Sequence, residues 1–187
     1  MPAPIHILNA SSLSHDEVET IALTVQAIFG QKVTISRHKL DLKRAYDGSR
    51  QQYNSSALLA QLLAFHDASF HKLLALVDVD LFVPVLTFVY GEAQLDGVAA
   101  IVSVHRLNNG FYGVEENRSL FLERVTKEIV HELCHTFGLF HCRQFECVMR
   151  SSTYVEEIDL KKEVLCDECS TILYHKVQKF QSIAATG

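Results

Sequence analysis

What the chain lacks narrows its function first. Its 187 residues hold 17 Lys and Arg against 22 Asp and Glu, a formal charge of -5. The basic surplus that non-specific nucleic-acid or anionic-membrane binding relies on is missing, so neither partner is expected. No apolar run is long enough to cross a bilayer: the uncharged stretch 81–91 near the middle has 11 residues and contains Pro84, well short of the roughly 18 that a spanning helix needs. The N-terminal Met1 to His6 has no basic leader, apolar h-region or small-residue cleavage site, which predicts a cytoplasmic protein. An odd number of cysteines, five, does not close a disulfide framework, and in a reducing compartment metal binding is the better use of them. There is no internal repeat and no low-complexity segment. What remains is an ordinary globular composition, 48% hydrophobic and 21% charged, and a length that predicts one domain over residues 1–187.

Along the chain, Ile5 to Asn9 reads as a buried strand, and Ser14 with Glu17 forms a capping box before a helix with apolar Val18, Ile21, Ala22, Val25 and Ile28. Lys32 to Ser36 alternates as a second strand. The polar stretch Arg37 to Arg50 reads as a solvated loop, and Leu58, Leu59, Leu62 and Leu63 mark a second helix. Leu73 to Asp80, Thr87 to Tyr90 and Val98 to Val104 are three further β-favouring runs. Helical crossovers imply parallel pairing among the early strands, while the closely spaced later ones pair antiparallel if they are neighbours. The expected class is α+β (α/β-like), a mixed twisted sheet backed by helices. Residues 1–116 form its N-terminal sheet and helix part, and 117–187 the part that holds the chemistry.

A third helix is predicted over Asn117 to Gly138, and within it stands His131-Glu132-Leu133-Cys134-His135, the H-E-x-x-H pattern of zinc-dependent hydrolases. At about 100° per residue, His135 stands roughly 40° and Glu132 roughly 100° round from His131, so both imidazoles share one face. Leu122, Ile129, Val130, Leu133, Cys134 and Phe137 fall on the other side, which leaves the ligands facing a cleft. Gly138, three residues on, suits the left-handed turn that reverses a chain at a helix end. That turn would return His141 to the metal as a third ligand and leave a fourth position open, as in catalytic zinc sites.

The composite His131-Glu132-x-x-His135-x-x-Gly138-x-x-His141 resembles the metzincin metallopeptidases, whose motif is followed by a methionine turn. The resemblance implies that role for Met149, in the loop-like Val148 to Ser152, with its thioether packed beneath the metal. The M-x-Y tyrosine of some metzincins is absent, since Ser151 takes its place; Tyr154 has two readings, a packing residue first and a substitute for that tyrosine second. Cys142 and Cys147 precede Met149 and a C-x-x-C pair, Cys166 and Cys169, follows it. Four thiolates in two close pairs fit a closed, structural zinc site clamping the Met149 loop from both ends. A redox pair at Cys166 and Cys169 is the competing reading, without a thioredoxin-like context to support it. Cys134, on the apolar helix face, is read as core.

Taken together, the metzincin helix, cysteines five apart directly after it, a methionine two residues later and a distal C-x-x-C are similar to the archaemetzincins. Asp78 to Phe82 and Tyr90 to Ala93 extend the resemblance upstream with less specificity. It implies a compact metzincin fold with an active-site helix, a structural zinc in the C-terminal part and no separate propeptide. The expected activity is hydrolysis of a peptide bond by water on a zinc held by His131, His135 and His141, with Glu132 as general base and a second, structural zinc on the cysteines. The substrate is a peptide or protein whose backbone pairs with a sheet edge, for which Thr87 to Tyr90 is the candidate. The protein is expected to act as a monomer. A zinc-stabilised binding module that rarely or never cleaves is the alternative, and a nucleic-acid-binding zinc ribbon runs against the acidic balance.

Overall fold

The computed structural model describes residues 5–65 and 71–184, so Met1 to Pro4 of the N-terminal reading lie outside the described residues. The chain opens with β1 (Ile5–Asn9), α1 (His15–Phe29) and β2 (Val33–Arg37). The Ser14 and Glu17 capping box is formed, and Gly30 ends the helix in the left-handed conformation at φ 60°. A 3-10 turn (Leu42–Ala45) leads to β3 (Tyr46–Asp47) and β4 (Gln52–Asn54), then α2 (Ser55–Phe65) and β5 (Lys72–Val77). β6 (Leu81–Phe82), β7 (Gly91–Ala93) and β8 (Ala99–Ser103) precede the long α3 (Arg118–Thr136), the short α4 (Val155–Asp159) and α5 (Asp167–Ala184).

The main sheet has the order β2-β1-β5-β8-β7, parallel throughout except for β7, which runs antiparallel along β8. Successive strand residues face opposite sides, and the sequence uses both. Ile7, Leu74, Leu76, Ala100 and Val102 enter the core shared with α1 and α3, while Leu8, Leu73, Ala75, Val77 and Ile101 enter the one shared with α2. Burial on both faces is why β5 is apolar without alternation. A second, smaller sheet, β3-β4-β6, stands beside it.

Three expectations need correction. The runs ending at Asp80 and starting at Val98 are neighbours and pair parallel, because the segment between them is long enough for a crossover. Thr87 to Tyr90 is not a strand: only Val89 bridges, to Leu81, and the edge strand begins one residue later at Gly91. The segment Arg37 to Arg50 is not simply a solvated loop, since Leu40 and Ala45 are buried in the α2-side core.

The third helix starts where Asn117 predicts, its side chain accepting from Leu120 N at 3.0 Å, and stops at Thr136. Its polar side is buried as well as its apolar one. Arg124 makes a two-pronged bond to Asp159 at 2.6 and 2.7 Å, and Lys127 bonds Glu123 and the carbonyl of Ile158. Paired charges let α3 run through the interior between the sheet and α4, which composition alone would not allow. Among the described residues no helix is long and apolar enough to cross a membrane.

Candidate metal centre and cleft

The geometry of the histidines follows from what holds their rings. His131 donates from Nδ1 to the carbonyl of Val148 at 2.9 Å, and His135 donates from Nδ1 to the carbonyl of Leu139 at 2.7 Å. A carbonyl can only accept, so each Nδ1 carries the proton and each Nε2 of the neutral ring is left with its lone pair. The two Nε2 atoms face each other 3.1 Å apart. Gly138, at φ 85°, reverses the chain after α3, and the ring of His141 lies with its centre 5.2 Å from that of His131 and 4.9 Å from that of His135. One nitrogen of each ring lies within 4.8 Å of the others. Burial pushes all three imidazoles below their ordinary pKa, His131 furthest. Three neutral rings with lone pairs converging on one point, and no proton to place between them, fit a cation such as zinc.

Glu132 sits beside this point, nearly fully buried. Burial first, then the negative charges of Glu128 and Glu92, hold its carboxyl well above the usual range, with Lys161 opposing. Its space is made by the edge strand: a Cβ on Gly91 would stand 2.7 Å from Glu132 Cγ and 2.7 Å from the Ile101 carbonyl. No side chain other than hydrogen fits there. In the sequence Gly91 is marked only by lying in the family-like segment Tyr90 to Ala93; its contact with Glu132 is tertiary.

The four cysteines also converge. The sulfurs of Cys142, Cys147, Cys166 and Cys169 lie within 4.8 Å of one another. Cys142 Sγ and Cys166 Sγ are 3.8 Å apart, too far for a disulfide at about 2.05 Å, and all five cysteines are free. Backbone N–H groups point at two of the sulfurs, Gln144 N at Cys142 and Cys166 N at Cys147, each at 3.4 Å. One four-sulfur cluster, rather than an isolated pair, fits a thiophilic ion better than a redox couple. Cys134 takes no part and is fully buried in the core.

Between the two clusters runs the Met149 loop. Met149 is fully buried, and its carbonyl accepts from Cys142 N at 2.9 Å, while Val148 N donates to the Val164 carbonyl at 3.1 Å. Lys161, which drew no attention in the sequence, is buried with its ammonium 3.1 Å from both Glu128 Oε1 and the Arg150 carbonyl. It ties the loop to the helix one turn before Glu132.

Above the histidines opens a cleft of about 800 Å³, lined by residues 86–93, Leu95, Phe140, the three histidines, Glu132 and residues 151–154. Tyr154 is 67% exposed on its rim, so the packing role read for it does not hold. The upper lip is held from the small sheet. Arg50, lying over the Phe82 ring, donates to the carbonyls of Leu86 and Thr87 at 2.7 and 3.0 Å, and Gln52 donates to Thr87 at 3.0 Å. Those bonds take the backbone acceptors that a strand at Thr87 to Tyr90 would need. Arg50 carried no signal beyond the basic cluster in which it lies.

Comparison with known proteins agrees with this architecture. Residues 14–175 match the model of peptidase family M54. The archaemetzincin of Methanopyrus kandleri is 39% identical over 148 residues, covering 79% of this chain and 80% of the relative. That of Archaeoglobus fulgidus is 35% identical over 167 residues, covering 89% and 96%. The crystal structure of the M. kandleri protein superposes with a TM-score of 0.82 at 32% identity, covering 94% of this chain and 95% of that one.

Proposed function

The chain belongs to peptidase family M54 and is a zinc metallopeptidase, and we propose that it cleaves peptide bonds at a zinc ion held by His131, His135 and His141, with Glu132 as general base. The observation that carries this reading is the convergence of three imidazole nitrogens, two of them oriented by backbone carbonyls, beside a buried carboxyl at the floor of an open cleft. Zinc, when bound, supplies a Lewis acid that brings the pKa of water to about 7 and polarises a carbonyl. Glu132, beside the three imidazoles on the next position of the helix, takes the proton of the attacking water and returns it to the leaving amine. The free side of β7, Gly91 to Ala93, offers unpaired backbone groups to an extended substrate, which sets the scissile bond next to Glu132.

We assign Cys142, Cys147, Cys166 and Cys169 to a second, structural zinc, two ions per chain, and Met149 to the turn packed between the centres. Residues 117–187 carry the metal chemistry and 1–116 the scaffold and cleft lip, within one domain. Five free cysteines suit a reducing compartment, and we place the protein in the cytoplasm as a monomer with no nucleic-acid partner.

The deciding experiment is mass-spectrometric cleavage of a diverse peptide library by the zinc-loaded protein with Glu132→Gln in parallel. Cleavage by the wild type and none by the variant is expected. Silence from a wild type carrying both zinc ions would overturn the peptidase assignment in favour of a peptide-binding module.

A further inference from the structure

Lys72, the first residue of β5, is 0% exposed, a placement almost never found for a lysine unless it is paired. Its ammonium donates to the carbonyl of Gly97 at 2.6 Å and to that of Thr136 at 2.7 Å, and it lies 4.5 Å from the centre of the Phe137 ring. Burial pulls its pKa down to about 8, with Asp96 opposing and Lys176 adding to the shift, so it keeps its charge at neutral pH.

The last four carbonyls of a helix have no partners inside it, and in α3 each finds one. Leu133 accepts from Thr136 Oγ1 at 2.7 Å and Cys134 from Leu139 N at 3.1 Å. His135 accepts from Gly138 N at 2.8 Å and from Asp96 N at 2.9 Å, and Thr136 accepts from Lys72. Two of these bonds come from parts of the chain distant in sequence, and both involve the turn between β7 and β8: Asp96 reaches His135, and Lys72 holds Thr136 together with Gly97. A cation under a helix C-terminus also opposes the partial negative charge there. The helix end so fixed carries His135 and begins the reversal that returns Leu139, whose carbonyl orients the His135 ring, and His141.

We propose that Lys72 is a positioning residue for the histidine metal centre: its ammonium locks the last turn of α3 to the β7–β8 turn, so that His135 and His141 keep the spacing that a metal requires. This rests on the reading of His131, His135 and His141 as ligands. Lys72 does not line the cleft and is not among the side chains that converge as candidate ligands. Groups hydrogen-bonded directly to a ligating ring typically contribute about tenfold to a hundredfold in metal affinity; Lys72 acts one bond further out, through the Thr136 carbonyl, so the low end of that range is expected.

The test is competitive titration of Zn²⁺ and Co²⁺ against a chelator into the full-length wild type, Lys72→Met and Lys72→Gln. The thiolate absorption of Co²⁺ separates the cysteine site from the histidine site. Lys72→Met should weaken the histidine site at least tenfold and change its Co²⁺ spectrum while the cysteine site stays within twofold. Lys72→Gln, which keeps two N–H donors on a chain one atom shorter, should recover part of the loss. Histidine-site affinity within twofold of wild type in Lys72→Met would overturn the proposal, as would both sites weakening in parallel, which marks a purely structural role. Should Lys72→Met not fold, the same ratio measured in Lys72→Gln decides. A wild type that takes no metal at its histidines would instead defeat the ligand assignment itself, an outcome distinct from a loss confined to the variants.

Discussion

The histidine centre and the cysteine cluster lie on either side of one loop and are built on opposite principles. At the histidines, two rings are pre-oriented by main-chain carbonyls from outside their own helix, Val148 and Leu139, and one side is open to the cleft. At the cysteines, the sulfurs come from the loop after α3 and from the start of α5, and backbone N–H groups such as those of Gln144 and Cys166 point at them over 3.4 Å. The first geometry exists because the fold holds it. The second brings four soft sulfurs within 4.8 Å of one another, a set that one thiophilic ion could crosslink. Rigidity with an open side suits chemistry, and a closed set of soft ligands suits crosslinking.

The sharpest way to break this contrast is Glu132→Gln. Turnover of a cleaved peptide should fall roughly a thousandfold while metal analysis still finds both ions; retained turnover would remove the chemical distinction between the centres. Next comes Cys169→Ser, on the far helix. It should release the cysteine-bound ion and cost about 3 kcal/mol in chemical denaturation, with the histidine ion kept. Joint loss of both ions would show a single cooperative unit rather than two.

Gly91→Ala tests the open side of the histidine centre alone. Its methyl group would meet Glu132 Cγ and the Ile101 carbonyl at 2.7 Å. A drop of about tenfold to a hundredfold in kcat, with zinc content unchanged, is expected from a displaced base, and wild-type kcat would show that Glu132 has room to move. The smallest effect is a control remote from both centres. Glu17, bonded to Arg118 at 2.6 Å, has its carboxyl pKa lowered to about 2 from 4.5 by that guanidinium. The folded pKa lies below the unfolded one, so the stabilisation is present above pH 4.5 and disappears as the pH falls towards 2. With solvent screening it is worth about 0.5 kcal/mol. The stability difference between wild type and Arg118→Leu, from denaturation at pH 5 and pH 2.5, should shrink by most of that amount at the lower pH.

The early strands and helices were legible because their signals are local: the Ser14 and Glu17 box, the α1 stripe and the apolar β5 run each sit within a few residues. The edge strand was misplaced by a single element because Thr87 to Tyr90 has a β-favouring composition, yet Arg50 and Gln52, distant in sequence, take the carbonyls of Leu86 and Thr87. The packing role assigned to Tyr154 failed for a similar reason, since nothing in its neighbours tells whether a loop aromatic turns inward or stands on a rim.

By itself the sequence marked out the candidate ligands, because His131, Glu132, His135, Gly138 and His141 are related by one helical period and one turn, and the cysteine pairs by short spacing. Only the tertiary structure decided what orients those ligands. Gly91 makes room for Glu132, Lys161 ties the Met149 loop to α3, and Lys72 closes the end of α3. Each acts on a residue far away in the chain. A glycine has no side chain to announce a close approach, and a lysine has the same composition whether solvated or sealed in the core. Packing alone distinguishes the two, because only a folded chain removes water from an ammonium and offers it carbonyls instead.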